Sequence, residues 1–330
     1  MTNIWQSLNR PIIVLAPMAD VTDSAFRQII AGCGQPDLFF TEFVSADGLC
    51  SDKGRVKLLR ELYFTPIEQP IIAQLFGSKP DKMFEAAKLV ASLGFVGIDI
   101  NMGCPDKTIE KQGAGAALIK SSLLAQEIIL AAKEGSGLPV SVKTRLGYNT
   151  MEFETWGPKL IEAKPAAITW HLRTRKEMSK VAAHWKLAGE LVRLATGTGV
   201  LTLANGDVKT VAEAKQKAAD YNLDGIMLGR AIYGHPWLFS DQTNITITDR
   251  LLKLQEHARL FEQLYRPGPT NNALFGGHTK NFAVMRKFFG AYVKDWPNTA
   301  KIREELMSAE TAQGVSVILN NSYVASNSLS

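Results

Sequence analysis

Cysteine is scarce: 330 residues carry three, Cys33, Cys50 and Cys104, with no CxxC spacing and no even-numbered set. That excludes a disulfide framework and a structural zinc site, and it points to a reducing, cytoplasmic setting; no metal is expected. Long apolar runs are also missing. Each is broken within about ten residues, short of the roughly 18 that a spanning helix requires, so no membrane partner is expected. "MTNIWQSLNR" has no basic stretch followed by an apolar one, and no export signal is expected. Neither sign of charge dominates, with 37 Lys and Arg against 32 Asp and Glu. The net charge of +5 tolerates a polyanionic partner without demanding one. No feature calls for more than a monomer, and no obligatory protein partner is inferred.

Eight short apolar runs do recur between residues 11 and 230. They are "PIIVLAPM", "LFFTEFVS", "PIIAQLFG", "FVGIDINMG", "PVSVKTRLG", "AAITWHLRT", "GVLTLANGD" and "DGIMLGR". Each is rich in β-branched or aromatic residues and bounded by Gly or Pro, the pattern of a strand. Between them, helical spacing takes over. In "KMFEAAKLVASLG" Met83, Ala86, Ala87, Val90 and Leu93 step by three or four, and Gly94 stands at a C-cap position. "SSLLAQEIILAAKEG" and "TVAEAKQKAAD" repeat the pattern, opened by Ser and Thr at N-cap positions. Near-continuous apolar strands alternating with amphipathic helices predict a parallel sheet covered by helices. Eight units over this length predict a closed (β/α)8 barrel. An open doubly wound sheet carries a Gly-rich fingerprint after its first strand, and "LAPMADVTD" contains no glycine.

A barrel collects its functional groups at the C-terminal ends of its strands. Those ends carry Glu42, Gln74, Asn101, Lys143, His171 and Asn205. Lys143 and Arg145 lie two apart, as do His171, Arg173 and Arg175, so each set is expected on one face. Cations converging there suggest an anionic ligand. The loops after strands seven and eight, "NGD" (Asn205, Gly206, Asp207) and "GR" (Gly229, Arg230), stand where barrels often bind phosphate. The same glycines equally suit tight turns.

In order and spacing, "LAPMADVTD", "TEFVSA", "QLFGS", "DINMGCP", "GAGAALIK", "VSVKTRLG", "HLRTR", "ANGD" and "DGIMLGRAIYGHPWLF" resemble the tRNA-dihydrouridine synthase family over nearly the whole chain. The resemblance implies an FMN-dependent oxidoreductase that uses NADPH to reduce the C5–C6 bond of particular uridines in tRNA. It implies that Pro17, Met18 and Ala19 line the flavin ring, that Gln74 bonds the ring edge, and that Lys143 sits beside the N1/O2 side. His171 would approach the flavin or its phosphate, and Asn205, Gly206, Asp207, Gly229 and Arg230 would hold that phosphate. Asn101, with Arg145 and Arg173, would meet the substrate. Hydride would pass from the reduced flavin N5 to C6, and Cys104 would give the proton to C5. A free thiol, with a pKa of about 8.5, is mostly protonated at neutral pH, as a proton donor must be. Cys33 and Cys50 lack that setting and read as structural.

After "PWLF" the strand–helix alternation stops. The barrel is placed over residues 1–245 and a smaller all-helical domain over 246–330, ending in a frayed polar tail, "NNSYVASNSLS". In "KNFAVMRKFFGAYVKDWP" Phe282, Met285, Phe289 and Tyr292 fall on one stripe, with Lys280, Arg286 and Lys287 elsewhere. A charged face of this kind is ordinarily just solvated. The resemblance implies that this domain grips tRNA, making Lys280, Arg286, Lys287, Lys294, Lys301 and Arg303 candidate phosphate contacts. Four residues depart from the family pattern: Asp20, Asp106, Leu172 and Phe288. Two other readings share parts of this evidence. An FMN barrel acting on a free pyrimidine, of the dihydroorotate dehydrogenase kind, accounts for everything but the basic helical domain. A non-catalytic RNA-binding protein accounts for that domain but leaves Cys104 and Lys143 without a task.

Overall fold

The computed structural model describes residues 3–296 and 299–327. The chain divides into two compact units, Met1–Met18 with Pro36–Leu62 and Gln69–Arg230, and Ala19–Gln35 with Tyr63–Glu68 and Ala231–Ser330.

The first unit is the barrel. Its strands are β1 (Ile12–Leu15), β2 (Phe39–Phe40), β3 (Val44–Ser45), β4 (Ile71–Phe76), β5 (Ile98–Met102), β6 (Val140–Arg145), β7 (Ala167–His171), β8 (Leu201–Asn205) and β9 (Gly225–Leu228). All pair in parallel, in the order β1-β9-β8-β7-β6-β5-β4-β2, with β3 also beside β4. A parallel bridge from Val14 to Leu38, immediately before β2, joins the two ends and closes the ring. β2 and β3 are two halves of the one stave read in "LFFTEFVS", so nine segments make eight staves. Each expected apolar run supplies one.

Register decides what faces the interior, because partners in a parallel ladder point to the same side. Gln74 lies opposite Asp99, and Asp99 opposite Ser141. One layer higher, Asn101 lies opposite Lys143, and Lys143 opposite Thr169. Above these come Arg145, His171 and Asn205. The rest of the interior is hydrocarbon. Ile12, Val14, Leu38, Phe40, Ile72, Leu203 and Met227 form one cluster, joined by Trp5 from the short helix Ile4–Ser7. One side of the barrel is therefore polar, and increasingly cationic toward its C-terminal end.

The expected helices form. Pro80–Ser92 opens with Pro at its first turn and is followed by Gly94 at φ +89°, the left-handed conformation that glycine tolerates best. Gly137 ends Ser122–Ser136 in the same way, and the Thr210 hydroxyl caps Val211–Tyr221 at the Glu213 N–H. Ser121 occupies its N-cap position but makes no capping bond. Its backbone, at φ −138°, ψ 72°, lies outside the extended geometry that capping uses.

The second unit is helical and draws in two segments from early in the chain. Helix Ser24–Ala31 belongs to it because Arg27 is fully buried there. The Arg27 guanidinium pairs with Glu68 at 2.7 Å and donates to the Thr22 and Tyr63 carbonyls at 2.6 and 2.8 Å. Residue 245 lies inside this unit, which resumes after Arg230. The polar stretch near it instead opens helix Ile247–Tyr265 through a capping box between Thr246 and Asp249. Phe282, Met285, Phe289 and Tyr292 are all buried, running from a 3-10 turn into helix Arg286–Tyr292. Helix Ala312–Asn327 takes in residues 320–327 of the polar tail, with Val315 and Leu319 buried upstream of it. Residues 328–330 lie outside the described part. Among the described residues no helix is long and apolar enough to cross a membrane.

Candidate active site

β5 ends at Met102, and the chain turns through "GCPD". Asn101 holds that turn: its amide oxygen accepts the N–H groups of Gly103 at 3.2 Å and Cys104 at 2.9 Å. The Cys104 carbonyl accepts from the Ala116 N–H at 2.9 Å. Gly115 makes this seat possible. Its φ is +62°, and a Cβ there would lie 2.8 Å from the Cys104 carbonyl oxygen. Cys104 is half-buried. Burial pushes its thiol pKa up, against the pull of the Asp106 N–H, Arg145 and Lys143. At neutral pH the sulfur keeps its proton, on a turn that is tied down at three backbone groups.

Lys143 stands opposite Asn101, half-buried, and its ammonium makes no hydrogen bond or ion pair among the described residues. Burial and the nearby Arg145 lower its pKa to about 8, against Asp99 and Cys104. Next to it in register, the Thr169 hydroxyl is buried without a partner among the described residues. Arg145 was expected to face a ligand. It is instead 7% exposed, and donates to the Gly103 carbonyl at 2.7 Å and to those of Thr174 and Met178 at 3.1 and 2.9 Å. It braces the Cys104 turn against the loop after β7, because carbonyls of both lie within its reach.

The alternation read in "HLRTR" ends with the strand at His171. Arg173 donates to His171 Nε2 at 3.0 Å, so that nitrogen must be the acceptor and Nδ1 carries the proton. Burial, then Lys143 and the arginines, hold the His171 pKa well below its usual value, so the ring is neutral at pH 7. Arg173 also pairs with Asp207, and Arg175 turns away to pair with Glu110. The Asp207 carboxylate, held low by Arg173, also takes Arg230 at 3.1 Å and the Ala183 N–H at 2.9 Å. A carboxylate so placed cannot itself take phosphate. What that loop offers an anion is backbone. The N–H groups of Gly206, Asp207 and Val208 donate to nothing among the described residues. Gly206 has φ +146°, and a Cβ there would lie 2.7 Å from Ala183 Cβ. Successive free N–H groups at a turn of this kind form an anion-binding nest, with the well-exposed Arg230 beside it. Gly229 differs, since a Cβ there would meet Ala16 and Met18 only at ordinary contact distance. The Asn205 amide is spent on the Met227 carbonyl at 2.6 Å.

Pro17 is buried and Met18 half-buried just past β1, while Ala19 is exposed and begins the second unit. Gln74 is fully buried, donating to Asp99 at 2.6 Å and accepting from Asn101 at 3.0 Å. Its ring-edge role would rest on one remaining N–H and one lone pair. Asp99, Ser141, Thr169 and Gly115 were not singled out from sequence. The signal for the first three was present as polar residues at every second position of otherwise apolar strands; for Gly115 it was "GAG". Within the second unit Lys280 was expected on a solvated face but is 6% exposed, its ammonium 5.0 Å from the centre of the Tyr265 ring. Lys287 pairs with Asp20 at 3.1 Å, Arg286 is half-buried, and Lys294, Lys301 and Arg303 are exposed.

A family model described as Dihydrouridine synthase (Dus) matches residues 14–328. The chain belongs to the dihydrouridine synthase family. It is 39% identical to a "Probable tRNA-dihydrouridine synthase" of Staphylococcus epidermidis, over 94% of this chain and 93% of that one. It is 38% identical to "Probable tRNA-dihydrouridine synthase 2" of Bacillus subtilis, over 97% and 96%. Among solved structures, histamine dehydrogenase from Rhizobium sp. 4-9 superposes with a TM-score of 0.53 at 13% identity, covering 76% of this chain and 49% of that one. The old yellow enzyme homologue of Zymomonas mobilis does so at 0.50 and 15%, covering 71% and 90%. At these identities the shared property is the barrel. The four departures from the dihydrouridine synthase pattern each find a place. Asp20 adopts φ +53°, which Asp tolerates better than most residues. Asp106 caps the turn Lys107–Glu110 at the Thr108 and Ile109 N–H groups, Leu172 is fully buried, and Phe288 packs against Phe26, Tyr233 and His257.

Proposed function

We propose that the protein reduces the C5–C6 bond of uridines in tRNA, with FMN held at the barrel mouth and NADPH as electron donor. The observation that carries this reading is the pairing of a protonated, backbone-anchored thiol, Cys104, with the unpartnered ammonium of Lys143 nearby. The mouth suits an anionic cofactor. Lys143 would face the electron-rich edge of its ring, where a fixed positive charge favours the reduced anionic form. The backbone nest at Gly206, Asp207 and Val208, with Arg230, would take its phosphate. Pro17 and Met18 would line the ring, and His171 would offer it an N–H donor from Nδ1. Bound there, FMN reduced by NADPH supplies the hydride for C6.

The protein's own part is the proton. The Cys104 S–H bond breaks as the C5–H bond forms. The thiolate left behind is stabilised by the Asp106 N–H and by Arg145 and Lys143, and is reprotonated from solvent. Chemistry on a base requires it to leave the stack. The exposed cations Lys287, Lys294, Lys301 and Arg303, with Arg286, would hold the surrounding phosphates. The barrel unit thus does the chemistry and the helical unit grips tRNA, in a scheme that a cytoplasmic monomer satisfies.

The test supplies purified protein with NADPH and offers unmodified tRNA transcript, free uridine or orotate. Dihydrouridine should form in the transcript alone. Cys104→Ala should keep bound flavin and NADPH oxidation while losing dihydrouridine formation at least about a hundredfold, the scale of general-acid catalysis. A colourless protein, or reduction of orotate instead, would overturn the reading.

A further inference from the structure

One buried charge inside the barrel has no part in the scheme above. Asp99 is 1% exposed, and both its oxygens are engaged. One accepts the Ser141 hydroxyl at 2.6 Å, and the other accepts Nε2 of Gln74 at 2.6 Å. Gln74 Oε1 then accepts Nδ2 of Asn101 at 3.0 Å. Asn101 Oδ1 in turn accepts the N–H groups of Gly103 and Cys104 at 3.2 and 2.9 Å. We propose that Asp99 is a positioning residue for Cys104, acting through this chain by dictating which end of each buried amide faces the next group. The inference rests on the reading of Cys104 as the proton donor.

The reason lies in what each group can donate or accept. An ionised carboxylate only accepts, so Gln74 must turn its NH2 to Asp99 and its carbonyl to Asn101. Asn101 must then give its NH2 to Gln74, which leaves its carbonyl for the turn. Reversing either amide sets donor against donor or acceptor against acceptor. At 0% and 7% exposure such a clash strands a buried polar group, which costs more than the bond is worth. The alternation of the strands makes the chain possible: Gln74, Asp99 and Ser141 are register partners, and Asn101 lies two residues on, facing the same way. The carboxyl is ionised at neutral pH. Burial raises its pKa only to about 6, with Ser141, Gln74 and Lys143 pulling it down. No other acceptor among the described residues serves the Gly103 and Cys104 N–H groups.

The test reads the turn itself. The intact protein as purified is treated with iodoacetamide, and alkylation of Cys104 is followed by peptide mass spectrometry, with Cys33 and Cys50 as internal standards. In Asp99→Asn the side chain can offer either end to Gln74, and the chain loses its direction. Cys104 should then alkylate about tenfold faster, the equivalent of one lost buried hydrogen bond, with Cys33 and Cys50 unchanged. Asn101→Ala should give the same acceleration, and the double variant no more than either single one, because both cut one chain. Gln74→Leu removes the middle link while leaving Asp99 with Ser141, and should match them even if Asp99→Asn does not fold. Unchanged Cys104 alkylation in folded Asp99→Asn or Gln74→Leu overturns the inference, as do additive effects in the double variant. None of these readouts needs flavin or tRNA, so they test the hold on the Cys104 turn separately from the proton-donor reading, which dihydrouridine formation tests.

Discussion

His257 should make the helical unit sensitive to mild acid. The ring is fully buried, stacked on Phe26 at 4.9 Å between centroids and edge-on to Phe288 at 4.8 Å. Neither ring nitrogen has a hydrogen-bond partner among the described residues. Burial alone depresses its pKa to about 3 in the folded state, against about 6.5 in an unfolded chain. Between those values the unfolded chain binds a proton that the folded one refuses, so stability rises with pH across the window. The contribution is complete above pH 6.5 and is lost as the pH falls toward 3, at about 1.4 kcal/mol per unit. From pH 7 to pH 5 the loss is about 2 kcal/mol, whatever the folded value within a unit of 3. His257→Phe keeps the ring and removes the titration. Urea denaturation of both proteins at pH 7 and pH 5 isolates the effect, because titrations common to both cancel in the double difference. The variant should escape about 2 kcal/mol of the acid loss. Equal losses in the two proteins would refute a neutral, buried imidazole.

Three further outcomes follow from the same structure. Arg27→Met strips Glu68 of its only ion-pair partner among the described residues in a fully buried pair and should cost about 3–5 kcal/mol by thermal denaturation. Arg27→Met with Glu68→Leu should recover most of that. Gly115→Ala places a Cβ 2.8 Å from the Cys104 carbonyl at positive φ. It should cost about 1–3 kcal/mol and lower dihydrouridine formation while NADPH oxidation persists; an unchanged product rate would detach the turn from catalysis. Lys143→Met removes the unpaired ammonium, and should weaken flavin binding at least about tenfold in a fluorescence titration.

The barrel was legible because each of its decisions is local. Strand or helix follows from whether apolar residues recur every two or every three to four positions, and "DGIMLGR" or "KMFEAAKLVASLG" shows that within a dozen residues. The ends were legible for the same reason where Gly94 and Thr210 act on their own neighbours, whereas the helix read as ending at Gly135 runs on to Ser136 and is capped by Gly137. The cations of "HLRTR" show where this stops. Periodicity holds only while the strand lasts, and once it ended Arg173 and Arg175 went to Asp207 and Glu110, partners 34 and 65 residues away in sequence. Arg145 and Lys280 show the same limit: a charged residue looks solvent-facing until the carbonyls or the aromatic ring that bury it are known.

What the sequence alone determined is the list of chemical groups, the eightfold rhythm, and the motif order that marks the family. Only the folded chain decided which groups meet. It drew residues 19–35 and 63–68 out of the barrel's span through the buried Arg27–Glu68 pair. It committed the Asp207 carboxylate to arginines while leaving the residue's backbone N–H, unpartnered among the described residues, free for an anion, and lined up Asp99, Gln74 and Asn101 behind Cys104. The physical reason is reach: propensity and periodicity act over a few residues, whereas a buried charge must find its partner wherever in the chain one stands.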